Sequence, residues 1–213
     1  ESKLNPSKTL EHNILGTVKL LEILKDKKIE RLMFASTIYV YSDYGSFYRV
    51  SKQATETIIE EYSREFDINF TLMRYGSLYG ERSQDWNGIK KFITQVLDKE
   101  FILYKGNGKE MREYINVVDA AKISVKLLDK KYKNKALMIT GNQLIKAQDL
   151  FELIFEILGK KLNVKYLKES NSSDHYGNTP YRYSPKSAKK IVPTEFVDLG
   201  QGLLNLIEEI KER

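Results

Sequence analysis

Two short apolar runs, at residues 31–36 (RLMFAS) and 68–74 (INFTLMR), are separated by a long stretch with helical periodicity. Apolar segments of this length read as strands buried on both faces, and such strands need helices above and below them. Residues 48–66, between the two runs, read as one long helix. Ahead of the first run, Leu10, Ile14, Val18, Leu21 and Leu24 form an apolar stripe over residues 8–26. Buried strands alternating with helices of this length predict an α/β fold with a mostly parallel sheet.

The alternation continues downstream. Residues 75–88, rich in Gly, Ser and Asp, read as a loop. Helix 89–99, strand 101–104, a Gly106-Asn107-Gly108 turn and strand 111–115 follow. Helix 117–129, strand 136–140, helix 148–159 and strand 162–167 come next. Residues 168–197 hold three of the four prolines and read as irregular, with a last helix over 199–212. Elements become shorter and more mixed after about residue 80, which is where a soft domain boundary is expected.

Composition removes several classes of function. The chain has no cysteine, so disulfides, thiolate zinc sites and cysteine nucleophiles are excluded. His12 and His175 are its only histidines, too few for a histidine-rich metal centre. They read as solvated or capping residues rather than as part of a hydrolase triad. No apolar run reaches the ~18 residues of a membrane span. No signal peptide is recognised, so the expected compartment is the cytoplasm. The net charge of +6 is carried mostly by lysines interleaved with acids. That pattern suits a solvated surface with a mild attraction for anions such as nucleotide phosphates. No zinc-finger spacing, arginine-rich arm or RNA-recognition motif argues for nucleic acid.

The segment that carries chemistry runs from Ala35 to Glu56 (ASTIYVYSDYGSFYRVSKQATE). Thr37 closes a buried strand, so its hydroxyl belongs at the carboxyl end of the sheet, where open α/β sheets bind ligands. Tyr48 and Lys52, four residues apart at the start of a helix, share one face. A neighbouring ammonium favours the phenolate, so Lys52 is expected to lower the pKa of Tyr48. Tyr48 could then move a proton while Thr37 holds a substrate hydroxyl. With 14 tyrosines in a lysine-rich chain, the pair by itself carries little weight. Its position after Ser36-Thr37, and before a strand ending in Arg74-Tyr75-Gly76-Ser77, carries more.

In this context the chain resembles the extended short-chain dehydrogenase/reductases, the NAD-dependent sugar-nucleotide epimerases and dehydratases. Asn13-Ile14-Leu15-Gly16-Thr17 resembles the Asn-x-x-Gly-Thr helix of that family. Ser36-Thr37 with Val40-Tyr41 resembles its strand end, and Tyr48 with Lys52 its catalytic pair. Residues 74–80 (RYGSLYG) resemble the loop that passes cofactor and substrate. Gly106-Asn107-Gly108, Arg112 and Asp119 resemble its Gly-x-Gly…Arg-Asp-Tyr-Ile…Val-x-Asp block.

The resemblance implies the C-terminal part of a Rossmann-like parallel sheet, with a smaller mixed α/β substrate-binding lobe. Residues 1–80 would be a partial NAD(P)-binding domain. Residues 81–213 would be mostly the lobe, with interleaved Rossmann elements. Tyr48 would be the acid/base, and Lys52 would hold the nicotinamide ribose. Thr37 would bind the reacting sugar hydroxyl. Asn13, Tyr75 and Gly76 would line NAD or NADP. Ser77, Arg112 and Arg182 would approach the nucleotide-sugar substrate, and a guanidinium fork suits a diphosphate. The helices at 8–26 and 48–66 correspond to those that pair family members into homodimers.

The chain also departs from the family. Its twelve glycines include no G-x-G-x-x-G. Gly106 and Gly108 have the right separation, but position 111 is Met. The resemblance begins at a helix that follows the first strands of the family's Rossmann half, and roughly 60–80 residues appear to be missing. The expectation is a chain lacking the dinucleotide phosphate loop. Ile38 and Tyr39 stand where 4,6-dehydratases carry Asp-Glu, which favours 4-epimerisation or keto/hydroxyl redox through a keto-sugar intermediate. The stretch between Tyr41 and Tyr48 is short, and Ser77 stands where many members have Asn. A non-catalytic nucleotide-sugar-binding or dimerisation module derived from the same fold is the alternative.

Overall fold

A computed structural model describes residues 2–167. The segment 168–213, with its expected irregular stretch and last helix, lies outside the described residues, and so do Arg182 and His175.

Pro6 opens the first helix, α1 (Pro6–Leu10), at a position where a missing N–H loses no hydrogen bond. The chain then widens into a π-helical turn, Glu11–Leu15, and tightens again into α2 (Gly16–Leu24). The wide turn has an identifiable cause. The Asn13 carbonyl accepts the hydroxyl of Thr17 at 2.8 Å and that of Thr55, from a neighbouring helix, at 3.0 Å. Inserted side-chain bonds of this kind displace a helical carbonyl from its usual partner.

Strand β1 (Leu32–Thr37) is followed by a 3-10 turn (Ile38–Tyr41) and the long helix α3 (Ser46–Phe66). Strand β2 (Phe70–Tyr75) pairs in parallel with β1, Leu32 facing Phe70 and Thr37 facing Tyr75. A short β3 (Ser77–Tyr79) lies in the stretch expected to be a loop. Helix α4 (Gly88–Lys99), β4 (Ile102–Lys105), β5 (Met111–Asn116) and α5 (Val117–Lys126) follow. After them come β6 (Lys135–Ile139), an unanticipated β7 (Leu144–Lys146), α6 (Ala147–Ile157) and β8 (Val164–Leu167).

Strand β6 joins the other edge of β2, giving a parallel sheet ordered β1-β2-β6. Alternate β2 residues face opposite ways, as the two-residue period requires. Phe70 and Leu72 pack with Leu21 of α2 and Ile59 of α3. Met73 packs on the other face with Ile139, Ile115 and α5 residues Ala120 and Ile123. Thr71 is fully buried, and its hydroxyl donates to the Tyr132 carbonyl at 2.9 Å. The result is a helix–sheet–helix sandwich, the α/β arrangement expected.

A second core joins α4, the β4–β8 pair and α6 through Val96, Ile102, Phe151 and Phe155. Phe151 makes edge contacts with Phe92 and Tyr104 at 5.0 and 4.9 Å between ring centres. Strand β5 links the two cores. Ile115 belongs to the sheet core, while its neighbour Tyr114 packs on the lobe core. β5 pairs in parallel with β3 and antiparallel with β7. The chain crosses β5 so closely after β6 that a Cβ on Gly141 would lie 2.0 Å from the Tyr114 carbonyl oxygen. Among the described residues no helix is long and apolar enough to cross a membrane.

Candidate active site

Strand β1 delivers Thr37 to the carboxyl end of the sheet, and the Thr37 hydroxyl oxygen caps the following 3-10 turn by accepting the Tyr39 N–H at 3.3 Å. Ser42, Asp43, Tyr44 and Gly45 then bring the chain to α3. Gly45 takes φ +100°, a left-handed conformation that suits glycine. A Cβ there would lie 2.7 Å from the Tyr39 ring. Tyr39 in turn packs edge-on against Tyr48, 6.4 Å between centres. The short connection therefore places an aromatic wall beside the phenol.

Tyr48 and Thr37 are hydrogen-bonded through their side chains. Burial pushes the Tyr48 phenol above its usual range, and the Thr37 hydroxyl pulls it part of the way back. This corrects the expectation that Lys52 would lower it. The Lys52 ammonium is turned to the β1 backbone, donating to the Ala35 carbonyl at 3.0 Å. It lies 4.8 Å from the centre of the Phe34 ring and 5.9 Å from that of Tyr48. Burial lowers the Lys52 pKa, and the charge of Glu56 opposes that shift.

Asn13 reaches this group through one intermediary. Its amide donates to Ser51 Oγ at 2.8 Å, and the Ser51 hydroxyl donates to the Tyr48 carbonyl, also at 2.8 Å. Asn13 thus ties the π turn to the start of α3. Tyr75 is the in-register neighbour of Thr37, but its hydroxyl shares a 2.5 Å hydrogen bond with Ser124 of α5. Its ring packs on the sheet core, so the backbone is what it brings to the strand end. Gly76 donates its N–H to the Ile139 carbonyl at 2.9 Å. A Cβ at that position would meet Thr140 Cγ2 at 2.9 Å, so a side chain there would crowd the next strand end.

Ser77 and Arg112 stand on the adjoining β3–β5 pair. Ser77 is in register with Tyr114, and Arg112 with Ile145 of β7. Arg112 is hydrogen-bonded to Tyr104, whose phenol is pushed up to about 12. Burial is the main cause there, Arg112 opposes it and Glu110 adds to it. The Glu110 carboxylate accepts the Asn107 N–H at 2.9 Å and closes the Gly106-Asn107-Gly108 turn.

A buried ionic group lies beneath Tyr48 and Lys52 that the motif reading did not single out. Glu56 follows Lys52 by one helical turn and is 5% exposed. The Arg74 guanidinium grips it with Nε at 3.0 Å from Oε1 and Nη2 at 2.6 Å from Oε2. Ser36 Oγ also donates to Glu56, and Arg74 Nη1 donates to the Tyr41 hydroxyl. The available signal was an acid eight residues after Tyr48, on the same buried helix face as Lys52.

A parallel sheet whose carboxyl end gathers a hydroxyl, a phenol and an inward-turned lysine defines a Rossmann-like α/β core of the nucleotide-dependent type. The model of the NAD-dependent epimerase/dehydratase family matches residues 1–139. The chain belongs to that family and is one of its enzymes. A Methanocaldococcus jannaschii protein named "Putative UDP-glucose 4-epimerase" is 30% identical over 97% of the chain and 72% of its own length. A UDP-glucuronate 4-epimerase of Thermodesulfobacterium geofontis is 24% identical, over 98% of the chain and 68% of the relative.

Among solved structures, a Bacillus cereus UDP-glucuronic acid 4-epimerase in complex with NAD superposes with a TM-score of 0.70 and 25% identity. The match covers 73% of this chain and 56% of that one. A Thermotoga maritima UDP-glucose 4-epimerase with UDP-glucose shares the fold, with a TM-score of 0.76 and 23% identity. There the match covers 99% of this chain and 73% of the other. The cofactor of the family is NAD(P). The residues present fit its nicotinamide–ribose end. Lys52 is an inward-turned donor at the strand end, beside a buried phenol.

Proposed function

We propose that the chain carries the catalytic and sugar-binding residues of an NAD(P)-dependent sugar-nucleotide 4-epimerase. The observation that carries this reading is the Tyr48–Thr37 hydrogen bond at the carboxyl end of the β1-β2-β6 sheet. Thr37 would hold the sugar hydroxyl against Tyr48, and Tyr48 would take its proton as the carbon is oxidised. NAD, when bound, supplies the acceptor for the hydride and returns it to the opposite face of the keto sugar. Tyr48 then gives the proton back to the new hydroxyl. Lys52, one turn along α3, would exchange its Ala35 carbonyl partner for the ribose hydroxyls.

Arg112 and Ser77, on the β3–β5 pair, would meet the diphosphate, joined by Arg182 from beyond the described residues. A boundary near residue 80 is part of this proposal, with the sheet serving the cofactor and the β4–β8 lobe serving the sugar nucleotide. Ile38, buried directly after Thr37, leaves no carboxyl there for eliminating water, which supports epimerisation over 4,6-dehydration. Leu20 and Ile23 on α2 and Phe47 and Val50 on α3 are exposed, and their apolar area supports a homodimer through these helices.

The full chain, as its source produces it, should interconvert a UDP-hexose and its 4-epimer with catalytic NAD. Tyr48→Phe should lower turnover by on the order of 10²-fold or more. Undiminished turnover in that variant would overturn the assignment. Tight UDP-sugar binding without turnover by the parent would favour the binding-module alternative.

A further inference from the structure

We propose that Glu56 is a positioning residue whose buried pair with Arg74 holds three segments of the active site in one register. The proposal rests on the epimerase reading above, and it concerns residues that the reading does not use.

The geometry makes this pair a junction. Glu56 stands on α3, one turn from Lys52 and two from Tyr48, on the same face. Ser36, which donates to Glu56, immediately precedes Thr37. Arg74 faces Ser36 across the β1–β2 register and immediately precedes Tyr75-Gly76. Its remaining Nη1 donor holds Tyr41, which closes the 3-10 turn started by Thr37. The Arg74 guanidinium also lies over the Tyr41 ring, 4.8 Å from its centre. One carboxylate and one guanidinium therefore touch every segment that delivers a residue to the strand end.

The pair is poorly explained as a source of stability. The two side chains are only 7% and 16% exposed. Burying two charges forfeits hydration that their attraction does little more than restore, and apolar replacements of similar volume are often as stable. What an ion pair supplies and an apolar contact does not is direction. The guanidinium fork accepts the carboxylate in a planar, two-point geometry. A sliding helix would break both points, so the axial position of α3 is fixed relative to β1 and β2. The phenol of Tyr48 must meet Thr37 within hydrogen-bond distance, and misplacement by about 1 Å can cost on the order of 10²-fold in rate. The Glu56 charge also opposes the effect of burial on Lys52, so its loss should make Lys52 easier to deprotonate.

The test uses Glu56→Gln in the full chain, with folding checked by circular dichroism. Glutamine keeps the shape and an acceptor for Ser36 but removes the charge and half of the fork. Turnover should fall on the order of 10²-fold with KM for the sugar nucleotide unchanged. The alkaline limb of the pH profile should move to lower pH. NMR titration of ¹³C-methylated lysines, with the Lys52 signal assigned by its loss in Lys52→Arg, should show the same downward shift.

A folded Glu56→Gln protein with parental turnover and an unmoved Lys52 titration would overturn the proposal. If Glu56→Gln does not fold, Arg74→Lys decides, because it keeps the charge and loses the fork. Parental turnover in that variant also overturns the proposal, and a fall in turnover with KM unchanged supports it. A parent without epimerase turnover sinks the proposed function alone. The Lys52 titration then still tests the link to Glu56.

Discussion

The behaviour of Tyr48 shows how a residue's chemistry departs from what its neighbours in sequence suggest. A lysine four residues on is visible in the sequence, but where its ammonium points is not. Lys52 turns to the Ala35 carbonyl, and burial dominates the phenol. Tyr48 is thus protonated over a wider range than a free tyrosine, and it must lose that proton to act as a base. Turnover should therefore rise with pH from neutral into the alkaline range. Thr37→Val removes the hydroxyl that favours the phenolate, so its profile should shift to higher pH. Turnover at neutral pH should drop about tenfold, the value of a hydrogen bond of ~1.4 kcal/mol. A pH–rate profile of the two proteins checks both, and a profile that moves to lower pH would refute the role given to Thr37. Thr37, Tyr48 and Lys52 were legible because strand end and helix start can be read locally. Glu56 and Arg74 were not singled out, since their pairing depends on β1–β2 register across 18 residues of chain.

At the scale of elements, the buried strands and long helices were readable within one or two residues. β3 and β7 were not. Each has three residues and is held by pairing with β5, a tertiary circumstance that leaves no local period. The connection before α3 is the element where sequence and geometry agree most tightly. Gly45→Ala adds a Cβ at positive φ and presses on Tyr39, which backs Tyr48. Thermal denaturation should show a loss of at least ~1 kcal/mol. Turnover should fall as well, while Gly159→Ala, at positive φ in open space, should affect stability alone.

The Gly106-Asn107-Gly108 turn allows a pH prediction. Burial pushes the Glu110 carboxyl up, but the Asn107 and Gly108 N–H groups and the Tyr104 hydroxyl hold it below its usual range. A depressed carboxyl contributes stability above its unfolded pKa and loses it as pH falls through the folded value. Acid titration should therefore destabilise the protein, and Glu110→Gln should flatten the dependence on the acid side. An unchanged slope in the variant would show that other carboxyls carry it.

For the whole molecule, the decisive feature is that two cores share one strand. Ile115 and Tyr114, adjacent on β5, face the sheet core and the lobe core respectively. Neither core can lose β5 without exposing the other. Phe151→Ala, at the centre of the lobe, should cost about 3–5 kcal/mol and lower the transition of the entire chain. Calorimetry would detect the alternative as a split into two transitions. Ile23→Lys should dissociate the proposed homodimer, as light scattering would show, without changing the circular dichroism spectrum.

The π turn at Glu11–Leu15 bears on which changes of length the chain can accept. It accommodates one more residue than an ordinary helical turn, and Asn13 meets both Thr55 and Ser51 from within it. Deleting any one residue there would restore a regular helix and rotate everything on one side of the deletion by about 100°. Asn13 or Leu21 would then leave its partner, whatever the identity of the residue removed. Substitutions at the exposed positions of this segment should be tolerated freely. A homologue that kept the same contacts would have to keep the same number of residues through the turn.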